Sequence, residues 1–330
     1  MIMSRTPFRI SFFGGGTDYP VWYSQNSGAV LATTINKYCY ISCRYLPPFF
    51  EHRSRIIYSK IELIRNASEI QHPSVRECLR FMKINKGVEI HHDGDLPART
   101  GMGSSSAFTV GLLHALYALK GIMPTKKQLA LDAIHLEQKV MKENVGSQDQ
   151  ALAAFGGLNL IEFGGNKHLQ VQPITISSER LALFQSHLML FFTGFSRIAS
   201  KIAKEQIKKT PYKNKELKRI FEIVDDALQI LNSHRDLSDF GRLLDESWQI
   251  KRNLSGKITT PIIDEIYSDA KRAGALGGKL LGAGGGGFIL FFAKPDAHAK
   301  IREKLKRLLY VPFKFENLGS QIIFYSPAVI

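Results

Sequence analysis

Leu96-Pro-Ala-Arg-Thr-Gly-Met-Gly-Ser-Ser-Ser-Ala107 decides the reading of this chain. The apolar run Val88 to His91 before it predicts a strand, and the residues from about Ser106 to Leu119 after it predict a long apolar helix. A strand, a glycine turn and a helix N-terminus hold several backbone N–H groups in one direction, at the positive end of the helix dipole, which makes an anion site. Gly101 and Gly103 carry no Cβ, so a phosphate can approach the main chain. The hydroxyls of Ser104, Ser105 and Ser106 can cap the helix, touch phosphate oxygens or bind Mg²⁺. Read alone, the same residues also describe an ordinary capped helix after a loop. Three other motifs are excluded. No lysine follows Gly103, as a Walker A loop requires. A dinucleotide fingerprint needs a third glycine and an acid about 20 positions on, and neither is present. None of the three serines stands in Gly-x-Ser-x-Gly.

Two further glycine clusters flank this segment. Thr6-Pro-Phe-Arg-Ile-Ser-Phe-Phe-Gly-Gly-Gly-Thr-Asp-Tyr19 lies near the N-terminus, and Gly277-Gly-Lys-Leu-Leu-Gly-Ala-Gly-Gly-Gly-Gly-Phe288 near the C-terminus. Each adjoins an apolar run, Ile10 to Phe13 and Phe288 to Ala293. Glycines beside a strand mark a bulge or a close backbone approach. The second run lacks the serine-rich context of a flexible linker.

The chain resembles the GHMP kinase superfamily, with three motifs in the family order: Pro7 to Asp18, Pro97 to Ala107, and Gly282 to Phe288. Phe8 to Tyr19 and Gly146-Ser-Gln-Asp-Gln150 are most similar to the heptose phosphate kinases of the sugar-kinase branch. The resemblance implies an α+β, two-domain fold, with an N-terminal domain similar to a ribosomal protein domain and a ferredoxin-like α/β C-terminal domain. The expected division is 1–175, with the phosphate loop, and 176–330, with the third glycine cluster. It further implies transfer of the γ-phosphoryl group of ATP, with Mg²⁺, to the anomeric hydroxyl of a sugar phosphate on the route to nucleotide-activated heptose. Met102 for leucine and Ser106 for alanine depart from the common loop pattern; Met conserves volume, and Ser106 is expected to cap the helix.

Composition fits an enzyme of this kind. The chain has 330 residues and 44% hydrophobic content, enough for two packed domains. No apolar stretch reaches the roughly 18 residues that span a bilayer. The first motif begins so close to Met1 that no signal peptide is expected. Cys39, Cys43 and Cys78 are few and unlike a metal quartet, so a reducing cytoplasm is expected. The net charge is +15, and lysines and arginines are concentrated around Arg197 to Arg219. That run reads as a solvated helix face, as a field drawing in anionic substrates, or as a nucleic-acid surface, although no nucleic-acid motif accompanies it. Sugar phosphate and ATP are the expected partners, no membrane is expected, and the chain is expected to act as a monomer or homodimer.

The remaining elements follow from periodicity. Strands are expected at Phe8 to Phe13, Ala29 to Ile35, Tyr38 to Tyr45, Ile56 to Lys60, Gly157 to Phe163, Leu188 to Phe192, Gly287 to Phe292 and Gln321 to Tyr325. Helices are expected at Lys126 to Lys142, Ala151 to Phe155, Leu217 to Leu231 and Lys300 to Leu309, and a soft boundary between domains at Pro173 to Glu179.

Within this frame the chemistry needs a metal carboxylate, a group facing the acceptor hydroxyl, and a cation. Glu137 projects from the stripe Leu129, Ala133, Val140 and Met141, where a carboxylate is costly unless paired or bound to a cation. The family's Mg²⁺-binding glutamate matches Glu137, and its hydroxyl ligand matches Ser105. Asp149 reads as a first-turn helix residue; in galactokinase-like members the matching aspartate faces the attacking hydroxyl. Arg9 matches the family's cation beside the nucleophile. Pro97, Gly101, Met102, Gly103 and Ser104 to Ser106 match the nucleotide loop. Gly16, Asp18, Gly284 and Gly285 are expected at the substrate. Arg44, Lys60, Lys251 and Arg252 are candidates for the substrate's own phosphate. Against the kinase stand a silent sugar sensor, disfavoured by the presence of Asp149 and Glu137, and an RNA-binding protein.

Overall fold

A computed structural model describes residues 1–165, 169–194 and 199–327, apart from the side chains of residues 199–201. The strands are β1 (Ile2–Phe13), β2 (Gly28–Tyr45), β3 (Ser54–Ile57), β4 (Ile61–Ile64), β5 (Val88–Gly94), β6 (Leu158–Phe163), β7 (Leu169–Pro173), β8 (Leu188–Phe192), β9 (Gly277–Leu280), β10 (Phe288–Phe292), β11 (Leu309–Tyr310), β12 (Phe315–Glu316) and β13 (Gln321–Tyr325). The helices are α1 (Pro20–Tyr23), α2 (Pro73–Phe81), α3 (Ser104–Leu119), α4 (Lys126–His135), α5 (Gln148–Phe155), α6 (Ser178–Ser186), α7 (Ala199–Lys209), α8 (Asn214–Asn232), α9 (Ser238–Arg252), α10 (Pro261–Arg272) and α11 (His298–Lys304).

The long strand β2 organises the first half. Its C-terminal part pairs β5 and its N-terminal part pairs β6, while β1 runs antiparallel along nearly all of it. The expected break at Asn36 is absent: a register shift between Pro7 and Phe8 lets one continuous strand turn the corner. The run read as ending at Lys60 is a hairpin of β3 and β4. Helix α3 packs on this sheet with Val110, Leu112, Leu113 and Leu116 buried. The smaller sheet has the order β11-β8-β10-β9. Helices α9 and α10 pack on this sheet, while α8 packs on α9 and against β1 and β2, and each of the three buries one apolar stripe.

An aromatic cluster welds the two halves. Phe12 and Phe13 of β1 meet Phe240 of α9 at ring distances of 5.7 and 4.9 Å, and Phe184 of α6 lies 4.7 Å from Phe240. The division expected near residue 175 falls between β7 and α6, and the last two strands, β12 and β13, cross back to pair β2 and β1. The expected helix to Leu309 stops at Lys304 because Leu309 and Tyr310 join β8.

One irregularity matters for the site. The expected helix Lys126 to Lys142 is α-helical only to His135 and continues as a π turn over Leu136–Val140. The extra residue turns Glu137 fully inward and leaves Val140 exposed, contrary to the uniform stripe expected there. All three cysteines are free and buried. Among the described residues no helix is long and apolar enough to cross a membrane. The basic run begins outside the described residues, at Arg197. Its described part is a helical face with Lys204, Lys208 and Lys218 exposed and Arg219 paired to Glu246 and Asp226.

Candidate functional site

The three glycine clusters converge. Gly103 sits in the left-handed region at φ 74° and forms the N-cap of α3 without any side-chain capping bond. Contrary to expectation, none of the serines caps this helix. The Ser104 hydroxyl accepts from the Arg99 N–H at 3.1 Å, Ser105 is exposed, and Ser106 donates to Glu137 at 2.8 Å. The first-turn N–H groups are therefore left without a side-chain acceptor, as an anion site requires. Pro97 is exposed, and its carbonyl accepts the Thr100 hydroxyl at 2.7 Å, which tightens the turn. Met102 is fully buried and pins the loop to β1 through Arg9 N–H to its carbonyl at 3.2 Å. Its contribution to a ligand is limited to the main chain.

The third cluster packs against this loop backbone to backbone. A Cβ on Gly101 would stand 2.4 Å from the Leu281 carbonyl oxygen, and one on Gly282 2.5 Å from the Gly101 Cα. Phe288 N–H donates to the Thr100 carbonyl at 3.1 Å. Glycine is required at these contacts because no side chain fits between the two segments. Gly284 and Gly285 are buried, and their close contacts are with Ile258: a Gly284 Cβ would lie 2.6 Å from its oxygen, and Gly285 N–H donates to it at 2.9 Å. They hold the cluster together from behind.

Arg9 and Asp149 meet where these segments join. Arg9 Nε donates to Asp149 Oδ1 at 2.7 Å and Nη2 to Oδ2 at 2.8 Å, while Nη1 donates to the Gly101 carbonyl at 2.6 Å. This bidentate fork fixes the carboxylate plane. The Arg9 side chain is 6% exposed and that of Asp149 is 23%, so the acid keeps an open edge. A Cβ on Gly103 would touch both partners, at 3.2 Å from Arg9 Cγ and 3.4 Å from Asp149 Oδ2. The turn at Gly103 thus runs directly over the ion pair.

Asp18 is buried beside this pair. It accepts from Gly16 N–H at 2.9 Å and from Gln148 Nε2 at 2.9 Å, with Gly146 so close that any Cβ would collide. Burial pushes its carboxyl up, and the nearby Asp149 adds to this, against the bond from Gly16. Two polar atoms here are buried with no partner, Ser11 Oγ and Gln148 Oε1. Both side chains approach Gly15. Unpartnered polar atoms beside a half-open carboxylate fit hydroxyl groups of a ligand.

Glu137 lies fully buried on the other side of α3. Its Oε2 accepts from Ser106 and Gln150, and its Oε1 has no partner. Burial pushes this carboxyl up to about 7 against the bonds from Thr109, Ser106 and Gln150. The structure brings Ser106, rather than Ser105, to Glu137, because the two hydroxyls point about 100° apart on the helix. Among the described residues no group of three or more His, Cys, Asp or Glu could hold a metal by itself. The phosphate candidates separate: Arg44 pairs with Glu89, Arg252 with Asp264, and Lys60 is exposed, whereas Lys251 is buried near Arg9 and Asp149.

Sequence reading missed Ser11, Gln148, Gln150 and Lys279 as members of this region. Lys279 alone carried a signal, as a cation between Gly278 and Leu280 in an otherwise apolar strand.

A family model described as GHMP kinases N terminal domain matches residues 58–157, and one described as GHMP kinases C terminal matches residues 223–311. The chain is 28% identical over 319 residues to a D-glycero-alpha-D-manno-heptose 7-phosphate kinase of Campylobacter jejuni subsp. jejuni, covering 93% of each. It is 25% identical to a galactokinase of Thermotoga neapolitana, over 94% of this chain and 95% of that one. The solved structure of a D-glycero-D-manno-heptose 1-phosphate kinase from Bacteroides thetaiotaomicron superposes with a TM-score of 0.77 at 25% identity, over 99% of this chain and 100% of that one.

Proposed function

Because the chain belongs to the GHMP kinase family, as a sugar kinase of that family using ATP, we propose that it phosphorylates the anomeric hydroxyl of D-glycero-D-manno-heptose 7-phosphate. The products are the 1,7-bisphosphate and ADP. The observation that carries the reading is the Arg9–Asp149 fork lying under Gly103 of the loop. An acid and the proposed triphosphate cradle share one small opening.

Phosphoryl transfer needs positioning and charge neutralisation more than covalent chemistry. The N–H groups of Gly103 to Ser106 hold the triphosphate. Asp149, aimed by Arg9, accepts a hydrogen bond from the acceptor hydroxyl and orients its oxygen at the γ-phosphorus. As the new P–O bond forms, the bond to the β–γ bridging oxygen breaks and its electron pair leaves on ADP. The hydroxyl proton passes late to Asp149 and then to solvent. Arg9 offsets the charge that accumulates between these groups. Asp18, Ser11 and Gln148 bind the sugar's other hydroxyls, with the Gly16 main chain shaping the wall.

The orphaned, buried Oε1 of Glu137 fits a hard cation, as do the hydroxyls of Ser105 and Ser106 at the helix start. Glu137 and these serines would hold Mg²⁺, which supplies charge neutralisation of the β- and γ-phosphates. The galactokinase relative favours a second reading, an unphosphorylated hexose as acceptor. ADP release over a panel of sugars and sugar phosphates separates the two. Turnover with heptose 7-phosphate, and little with galactose or fucose, is expected; turnover with free hexoses alone would overturn the substrate and keep the kinase.

A further inference from the structure

Lys251 closes the buried stripe Phe240, Leu244, Ser247 and Trp248 of α9. Its ammonium donates to the Gly282 carbonyl at 2.7 Å. Behind it, the buried Lys279 donates to the Phe12 carbonyl at 2.7 Å. Among the described residues no carboxylate bonds to either ammonium. The acids that face them are already engaged, Asp149 by Arg9 and Asp18 by Gly16 and Gln148. Three cations therefore converge on two carboxylates. A buried ammonium without a counter-charge is costly, and the cost is relieved by an anion entering the site. Burial and Arg9 push Lys251 down to about 8, against the pull of Asp18 and Asp149. Lys279 is likewise pushed well down, by burial and by Lys251.

Position selects which anion. Gly282, whose carbonyl Lys251 holds, packs on Gly101, and the Gly101 carbonyl in turn accepts from Arg9. Lys251 is thus tied to the phosphate loop at the point where Arg9 meets Asp149. In a sugar 7-phosphate that reacts through its anomeric hydroxyl, the 7-phosphate lies at the opposite end of the acceptor.

Resting on the kinase reading above, we propose that Lys251 is a second cation of the transfer centre, donating with Arg9 to the oxygens of the γ-phosphoryl group as it moves from ADP to the acceptor. Lys251 keeps its protons throughout. The bond changes and the proton path to Asp149 are those already given, and Lys251 lowers the charge on the group between the two oxygens.

The test compares Lys251→Met and Lys251→Arg with the unaltered enzyme. In Lys251→Met, kcat falls about 100-fold, while KM for the sugar phosphate and the Kd for ADP stay within about 3-fold. Binding of ADP with aluminium fluoride and magnesium, which mimics the group in transit, weakens by a factor similar to that in kcat. Lys251→Arg keeps a charge and recovers about a tenth or more of kcat. An alkaline limb of kcat/KM, expected near 8 in the unaltered enzyme, moves upward in Lys251→Arg. A raised KM for the sugar phosphate with kcat intact would overturn the proposal in favour of the remote phosphate. Equal loss of plain ADP binding and turnover would reduce Lys251 to a brace for Gly282. Asp149→Asn separates the two levels. Turnover abolished there but unchanged in Lys251→Met refutes only Lys251. No turnover of any sugar by the unaltered enzyme refutes the kinase reading itself.

Discussion

Replacing Gly101 by alanine tests how the phosphate loop is built. Gly101 has φ 82°, a conformation that costs an L-residue about 1–2 kcal/mol. The added methyl would stand 2.4 Å from the Leu281 carbonyl oxygen and 2.9 Å from its carbon. Ordinary contact is about 3.5 Å, so the loop and the third glycine cluster must part by about 1 Å. That movement breaks Phe288 N–H to Thr100 and Arg9 to Gly101, each contributing about 1 kcal/mol. Together these bring the loss to about 3–4 kcal/mol, or roughly 6–8 °C in Tm at about 2 °C per kcal/mol. Gly121→Ala is the control. It has φ 71° and nothing within 4 Å of its Cβ position, so it carries the backbone strain alone. Differential scanning calorimetry reads the stabilities, and titration with ADP reads the loop. Gly101→Ala should melt well below Gly121→Ala and lose ADP affinity about 10-fold, while Gly121→Ala binds ADP normally. Equal melting and equal ADP binding by the two variants would refute the packing of one glycine cluster on the other.

Asp149→Asn should cut turnover about 1,000-fold with nucleotide affinity within about 3-fold, as read by ADP release and calorimetric titration; a variant keeping a tenth of the activity would contradict the assignment. Glu137→Gln leaves Oε2-type contacts to Ser106 and Gln150 available but removes the carboxylate at the unpartnered Oε1. The magnesium concentration giving half-maximal rate should rise about 10-fold or more with Tm held, and an unchanged magnesium titration would count against a metal at Glu137. Glu89 is pushed up by burial, but hydrogen bonds from His91, Arg55 and Arg44 outweigh this and hold it down to about 2. A lowered carboxyl contributes stability above its unfolded value of about 4.3, lost as pH falls toward 2. Tm of the unaltered protein should therefore decline between pH 4.5 and 2, and Glu89→Gln should flatten that decline; parallel curves would refute it.

The parts of this site built from local chemistry were legible in the sequence. The left-handed turn at Gly103, the first-turn acid Asp149 and the inward Glu137 each follow from residue type and spacing. What depends on long-range register was not. Nothing local to Asn36 and Lys37 says that β2 runs on through them as two extra residues opposite the Pro7–Phe8 step of β1. The π turn at Leu136–Val140, which leaves Val140 exposed beside the buried Glu137, leaves no compositional mark. The crossing of β13 back to β1 joins residues more than 300 apart, which periodicity cannot see. Lys251 was visible as one basic residue among four. Its place on the apolar stripe of α9 was the clue that set it apart from its exposed neighbours.

The most direct measurement is a crystal structure with a non-hydrolysable ATP analogue, magnesium and heptose 7-phosphate. The γ-phosphate is expected on the N–H groups of Gly103 to Ser106, with the anomeric oxygen within hydrogen-bond reach of Asp149. A nucleotide bound elsewhere, or a sugar whose anomeric oxygen faces away from Asp149, would contradict it.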